Sequence, residues 1–244
     1  VRPSPLFLGL LAATVAGAVL TIFDSDAAVI GGTVLFVLAG WAVSLCLHEF
    51  GHAIVAHRGG DTSVADKGYL TLDIRRYTDP VLSIVLPLVL LAFGGIPLPG
   101  GAVWINHHAL RSKRIESLVS LAGPLSNLVL GLLLSGSVLL FHPPVGLAAA
   151  LSYLALLQIF AFVLNILPVP GLDGWGVLEP YMPPKAQQFG AKVRPFAPLA
   201  LFAALFAFPA VAIVFFDLAD WVFGLVGGNG LWAAFGQSNF MFWR

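Results

Sequence analysis

Apolar residues run almost unbroken along this chain, and what interrupts them divides it. Pro5 to Phe23 is the first apolar run, closed by Asp24 and Asp26. Ala28 to His57 is the second, about 30 residues, long enough to tilt or to project beyond the lipid. A membrane-crossing helix needs roughly 20 apolar residues. A polar stretch follows, "RGGDTSVADKGYLTLDIRRYTDP", with four basic and four acidic residues. Within it "KGYLTLDIRR" alternates in the manner of a short strand pair at a membrane surface. Val81 to Phe93 is apolar but short and runs into "GGIPLPGGAVWIN", where glycine and proline break a helix. "AVWI" predicts a strand after the turn, and "HHALRSKR" is a basic stretch. Ile115 to Phe141 and Val145 to Leu167 predict two more helices, the latter ending in "NILPVPGLDGWG". After a polar loop to Pro195 comes the last apolar run, Phe196 to Val226. Pro209 makes it one kinked helix or two shorter ones.

Composition turns these runs into a class. Of 244 residues 59% are hydrophobic and 10% charged, with a mean hydropathy of +0.93. Soluble domains carry about 25% charged residues, so the chain is read as an integral membrane protein. The expected fold is an all-α polytopic membrane protein with about five to six transmembrane helices. A re-entrant, Gly/Pro-rich, β-like element is expected over 81–106. One membrane domain, 1–244, accounts for the whole sequence, with a core over 28–180 and a C-terminal helix or helices and tail over 196–244. No internal repeat is present. The first run is long for a signal-peptide core and "DSDAA" is a poor cleavage site, which predicts a retained helix. Net charge is zero, which argues against a nucleic-acid partner. A single cysteine, Cys46, excludes an intrachain disulfide.

Charge also predicts an orientation. Lys and Arg gather in 58–76, 111–114 and 185–194, whereas the linker at 24–26 is acidic. Under the positive-inside bias the three basic loops are cytoplasmic. Basic flanks on both sides of 81–106 then make that segment enter and leave on one face. Irregular backbone at such depth is tolerated where it is buried in protein or lines a cavity.

One stretch sets chemistry inside an apolar helix: "LCLHEFGHAI", residues 45–54. His48, Glu49 and His52 form H-E-x-x-H. Residues four apart share a helix face, so both imidazoles can bind one metal. Glu49 is turned by about 100° from His48, near a metal-bound water without being a ligand. That is the zinc-peptidase arrangement. The bland alternative is a set of buried polar groups pairing with one another, but ionisable groups in a membrane mark function by default. His57 falls on another helix face and is expected to be exposed. The chain lacks the longer metzincin pattern, since position 58 is Arg. His107, His108 and His142 lie in loops and are expected to be solvated.

Catalytic zinc wants three protein ligands and an open position. Most of the nine Asp lie in hydrophilic loops, but Asp173 follows directly on an apolar helix, among prolines and glycines. It is a candidate third ligand, although Asp-Gly is also an ordinary turn former. The predicted topology puts His48–His52 and Asp173 at similar depth near the cytoplasmic face. In "SLAGPLSNLVLG", 120–131, small residues suit close helix packing. Asn127 is an amide on an apolar face that needs partners; near a metal it could donate to a scissile carbonyl or hold the substrate backbone.

Taken together, "HEFGH" at 48–52, "AGPLSN" at 122–127 and "NILPVPGLDG" at 165–174 resemble the site-2 protease family of intramembrane zinc metalloproteases. The resemblance spans about 28–180. It implies Zn²⁺ held by His48, His52 and Asp173, with Glu49 as general base and Asn127 helping to position substrate. "GGIPLPGGAVWIN" resembles the family's membrane re-entrant β-element, in which Gly100 and Gly101 would let an unwound substrate strand pair with the backbone. The PDZ and CBS modules that many members carry have no counterpart in these 244 residues. The implied substrates are single-span membrane proteins, such as anti-sigma factors or signal-peptide remnants, cleaved within the lipid bilayer of the cell membrane near its cytoplasmic face. Two rival classes are a membrane metal-ion transporter and a catalytically inactive membrane scaffold. The transporter would need polar residues strung across the bilayer and an inverted repeat; the scaffold is at odds with an intact Glu49.

Overall fold

The structure, a computed structural model, describes residues 2–77 and 103–244. Among them there are helices and no strand, and the chain is an all-α polytopic membrane protein. Three helices are long and apolar enough to cross a membrane, or five spans if each of two bent pairs counts as one. The Gly/Pro-rich element, with Gly100 and Gly101, lies outside the described residues except for 103–106.

Helix α1, Pro5–Leu20, starts where the Ser4 hydroxyl caps the Phe7 amide at 3.1 Å. The Ser4 amide donates to the Thr71 carbonyl at 2.8 Å, tying this end to the polar stretch. Helix α2, Asp26–Gly59, is 34 residues long and lies antiparallel to α1. Their backbones touch because two glycines permit it. A Cβ on Gly17 would come within 2.8 Å of the Phe36 Cα, and one on Gly32 within 2.8 Å of the Thr21 amide. Higher along the same seam Gly40 faces Thr14.

The polar stretch differs from the expected strand pair. Ser63–Asp66 (α3) and Ile74–Tyr77 (α4) are single helical turns, with a 3₁₀ turn at Tyr69–Thr71 between them. Gly68 (φ 77°) and Leu72 (φ 57°) adopt left-handed backbone on either side of that turn. Two such residues reverse the chain and override the alternating pattern. Val103–Ile105, within the expected "AVWI" strand, pairs with no strand among the described residues.

Helix α5, Lys113–Phe141, begins at a Ser112 cap and turns at His142 into α6, Val145–Asn165. The two differ in setting. The apolar stretch of α6 is 72% buried and that of α5 only 22%, so α6 is the central post and α5 faces outward. Gly131 of α5 admits Ile159 of α6. Beyond α6 come α7 (Asp173–Leu178), α8 (Pro184–Val193), α9 (Ala197–Ala207), α10 (Pro209–Leu225) and α11 (Gly230–Phe240). The last apolar run is therefore two helices broken before Pro209. Helices α8 and α9 bend by 67° at their junction, and α10 and α11 by 117°. α11 folds back onto α6, where Gly236 meets Tyr153.

Candidate metal centre

Three helices and one loop converge near the C-terminal end of α2. His48, Glu49 and His52 are all buried. The spacing of four turns both imidazoles to one side, and their Nε2 atoms lie 3.1 Å apart. Asp173, at the first position of α7, brings Oδ2 to 3.2 Å from His48 Nε2 and Oδ1 to 3.4 Å from His52 Nε2. The structure thus brings together the three residues singled out as ligands. Among the described residues they are the one cluster of His, Cys, Asp and Glu able to hold a metal.

The spacing suits zinc. Bonds of about 2.0–2.1 Å to N and O give a ligand tetrahedron with edges of about 3.3–3.4 Å. The three observed separations are close to those edges. A second observation is independent of the ligands. Gly123 of α5 faces them, and a Cβ there would fall 2.6 Å from His48 Nε2 and closer still to His52 Nε2. A glycine keeps that space open, and the donor set fits a zinc ion.

Each histidine is held from behind. His52 Nδ1 lies 2.7 Å from the Val119 carbonyl, and His48 Nδ1 lies 2.6 Å from Asn127 Oδ1. Such contacts fix the ring and leave Nε2 for the metal. Asn127 is therefore placed behind His48; its Nδ2 donates to Gln158 Oε1 at 2.8 Å.

Asp173 owes its place to a tight local fold. After α6 the chain turns through Pro168, Pro170 and Gly171, the last with φ 98°. α7 then docks on α5: the Ser117 hydroxyl donates to the Val177 carbonyl at 2.7 Å, and Gly176 sits against Ser120. Gly190 of α8 admits the Trp175 indole on the other side.

A cavity of about 350 Å³ opens onto the cluster. Its lining includes Glu49, Asn165, Val103, Ile105, Glu179 and Arg194. Val103 and Ile105 belong to the segment predicted as a strand and stand beside Glu49. Asp61 anchors this segment by accepting from the Asn106 amide at 2.7 Å, and Lys67 donates to the Trp104 carbonyl at 2.8 Å. Burial pushes the Asp61 carboxyl up, but hydrogen bonds from Ser63 and Asn106 outweigh it and hold the group below its ordinary value. Asp73 is likewise held low, chiefly by Arg75.

Three features were missed by sequence reasoning. The small residues of 120–131 suit helix packing, yet Gly123 also keeps open the space in front of the two imidazoles. Asn165 is buried, lines the cavity, and has a side-chain Nδ2 without a partner among the described residues. Gln158, an amide in an otherwise apolar helix, was visible by the reasoning that flagged Asn127. One histidine differs from expectation: His57 is half-buried. His107 is exposed, as expected of a loop residue, and pairs with Glu116 at 2.9 Å beside the cavity.

Comparison with known proteins agrees with this geometry. A protein of Mycobacterium tuberculosis, named as the zinc metalloprotease Rip2, is 46% identical over 248 aligned positions, covering 100% of this chain and 95% of the relative. The chain belongs to the site-2 protease family of zinc metalloproteases. Rip2 of Mycolicibacterium smegmatis is 42% identical over the same share of both chains. A Bacillus subtilis protein named as the zinc metalloprotease YwhC is 29% identical over 189 positions, 73% of this chain and 83% of that one. No protein-family model matches the chain. No solved structure matches it. The site-2 protease described here is thus a membrane metalloprotease whose cofactor is zinc.

Proposed function

We propose that this site-2 protease cleaves peptide bonds within or near the membrane-spanning segments of single-span membrane proteins, in regulated intramembrane proteolysis. The observation that carries the reading is the tetrahedral spacing of His48, His52 and Asp173 around the space that Gly123 leaves, inside a bundle of apolar helices. His48, His52 and Asp173 would hold the metal, with the two Nε2 atoms and the carboxylate facing the shared space. Bound zinc supplies Lewis-acid polarisation of a peptide carbonyl and lowers the pKa of water to about 7.

Glu49 stands in the cavity beside the ligands and takes the proton from the attacking water, then delivers it to the leaving amine. Asn165 offers its unpartnered amide hydrogens to a substrate carbonyl. The segment containing Val103 and Ile105 lines the cavity as an edge for an unwound substrate strand. By the family likeness alone, Gly100 and Gly101, outside the described residues, would serve the same docking of substrate. Basic loops at 58–76, 111–114 and 185–194 favour a cell-membrane orientation with the site near the cytoplasmic face. Substrates of the anti-sigma-factor or signal-peptide-remnant type follow from the family likeness alone.

The test is cleavage of a purified single-span substrate in detergent or liposomes. Glu49→Gln lowers the rate by about 10²–10⁴-fold and retains zinc. Asp173→Ala loses zinc as well as activity. Full zinc occupancy in Asp173→Ala would remove that residue from the ligand set, and undiminished cleavage by Glu49→Gln would end the protease mechanism. Replacing Gly100 and Gly101 with proline stops cleavage of a helical substrate while zinc stays bound.

A further inference from the structure

We infer that Ser44 and Gln158 are positioning residues that set the tautomer of His48, through a one-way chain of hydrogen bonds starting at a backbone carbonyl. The inference rests on the metal-centre reading above and adds what decides which imidazole nitrogen is free for the metal.

The chain is followed from its far end. Ser44 Oγ lies 2.7 Å from the Trp41 carbonyl, one turn back along α2. A carbonyl only accepts, so the hydroxyl hydrogen is committed there. Ser44 Oγ then has only lone pairs to offer Gln158, 3.1 Å away, and the Gln158 amide nitrogen must face it. That turns Gln158 Oε1 toward Asn127, which donates through Nδ2 at 2.8 Å. Asn127 in turn presents Oδ1 to His48 Nδ1 at 2.6 Å. An amide oxygen there requires an N–H on Nδ1. In a neutral imidazole the lone pair is then on Nε2, the atom facing Asp173 and His52.

The opposite direction would satisfy the side-chain links equally well. Ser44 would donate to Gln158 Oε1, Gln158 to Asn127, and Asn127 to His48 Nδ1. The His48 proton would then sit on Nε2 and block the metal. Within the relay the bond from Ser44 to the Trp41 carbonyl breaks that symmetry. It does so against the Asp173 carboxylate, an acceptor 3.2 Å from Nε2 that draws a proton to that atom when no metal is bound. Ser44, Gln158, Asn127 and His48 are 4%, 1%, 4% and 4% exposed, so bulk water does not stand in for a missing link. His52 needs no relay, because the Val119 carbonyl fixes its Nδ1 directly.

A plainer role for Gln158 is adhesion, since it joins α2, α5 and α6. Adhesion is indifferent to the direction of the bonds, and this separates the two. The imidazole nitrogens of ¹⁵N-histidine-labelled full-length protein are recorded in detergent after zinc removal, and zinc affinity is measured by competition with a chelator. In the parent protein His48 Nδ1 is expected to carry a proton throughout, whether or not Nε2 is also protonated toward Asp173. Ser44→Ala and Gln158→Met give a mixture of both tautomers at His48 and weaken zinc binding by about 10–100-fold. Ser44→Thr, which keeps a hydroxyl able to bond a preceding carbonyl, restores both. The His52 signals stay unchanged throughout and report that the fold is intact; if one of the two disrupting variants does not fold, the other carries the comparison. A His48 tautomer unaltered in folded Ser44→Ala or Gln158→Met overturns the inference, even if zinc affinity falls. Because the tautomer is read without metal, a parent protein that fails to bind zinc would count against the metal centre and not against the relay.

Discussion

Gly123 on α5 looks directly at Nε2 of His52 on α2, with no room between them for a methyl group. Local and tertiary demands conflict at this position. Alanine is favoured over glycine by about 1 kcal/mol inside a helix, yet its Cβ would occupy the metal's place. Gly123→Ala is expected to remain folded and helical while its zinc content, about one per chain in the parent, falls close to none. Metal analysis of the purified protein beside a far-ultraviolet circular dichroism spectrum checks this. Parental zinc content in the variant would mean that the cluster binds its metal elsewhere.

Asn165 separates binding of zinc from use of substrate. The residue lines the cavity, its Nδ2 is buried with no partner among the described residues, and it is not one of the three candidate ligands. Removing a donor aimed at a developing oxyanion costs about 10²–10³-fold in rate. Asn165→Ala should therefore keep its zinc and lose cleavage within that range. A rate within a few-fold of the parent would show that the amide serves packing.

Asp61 predicts a dependence on pH outside the metal site. Its carboxyl is held below the ordinary value by Ser63 and Asn106, and it ties the segment with Val103 and Ile105 in place. A lowered folded-state value means the carboxylate contributes stability above the unfolded pKa of about 3.9. That contribution fades as pH falls through the folded-state value. The melting temperature of the parent should exceed that of Asp61→Asn by a constant margin from neutral pH down to about 5, and the margin should shrink below about 4. A margin that is absent at neutral pH, or that survives into strong acid, contradicts the assignment.

Much of this architecture was legible because lipid makes the code simple. Long apolar runs become helices, and a histidine pair four apart on one of them shares a face whatever else the chain does. Asp173 was harder. Asp-Gly reads equally as a turn, and only the folded position of α7, wedged between Ser120 of α5 and Gly190 of α8, brings its carboxylate to the imidazoles. Asn127 was identifiable as an amide needing partners, but which atom it would face depended on Gln158, 31 positions away on another helix. The role of Gly123 required knowing where α5 crosses α2, a fact no local pattern contains. The alternation in "KGYLTLDIRR" misled for a different reason: backbone dihedrals at Gly68 and Leu72 overrode side-chain periodicity.

The seam between α1 and α2 has a consequence for hydration. Thr21 meets Gly32, Gly17 meets Phe36, and Thr14 faces Gly40; continued at that pace, the ladder sets Ser4 level with Glu49 and Phe50. Ser4 caps the start of α1. The H-E-x-x-H turn of α2 therefore lies level with the N-terminal end of α1. A centre level with a helix terminus has a short path for reactant water, so thickening the surrounding lipid, without touching a side chain, is expected to slow the reaction.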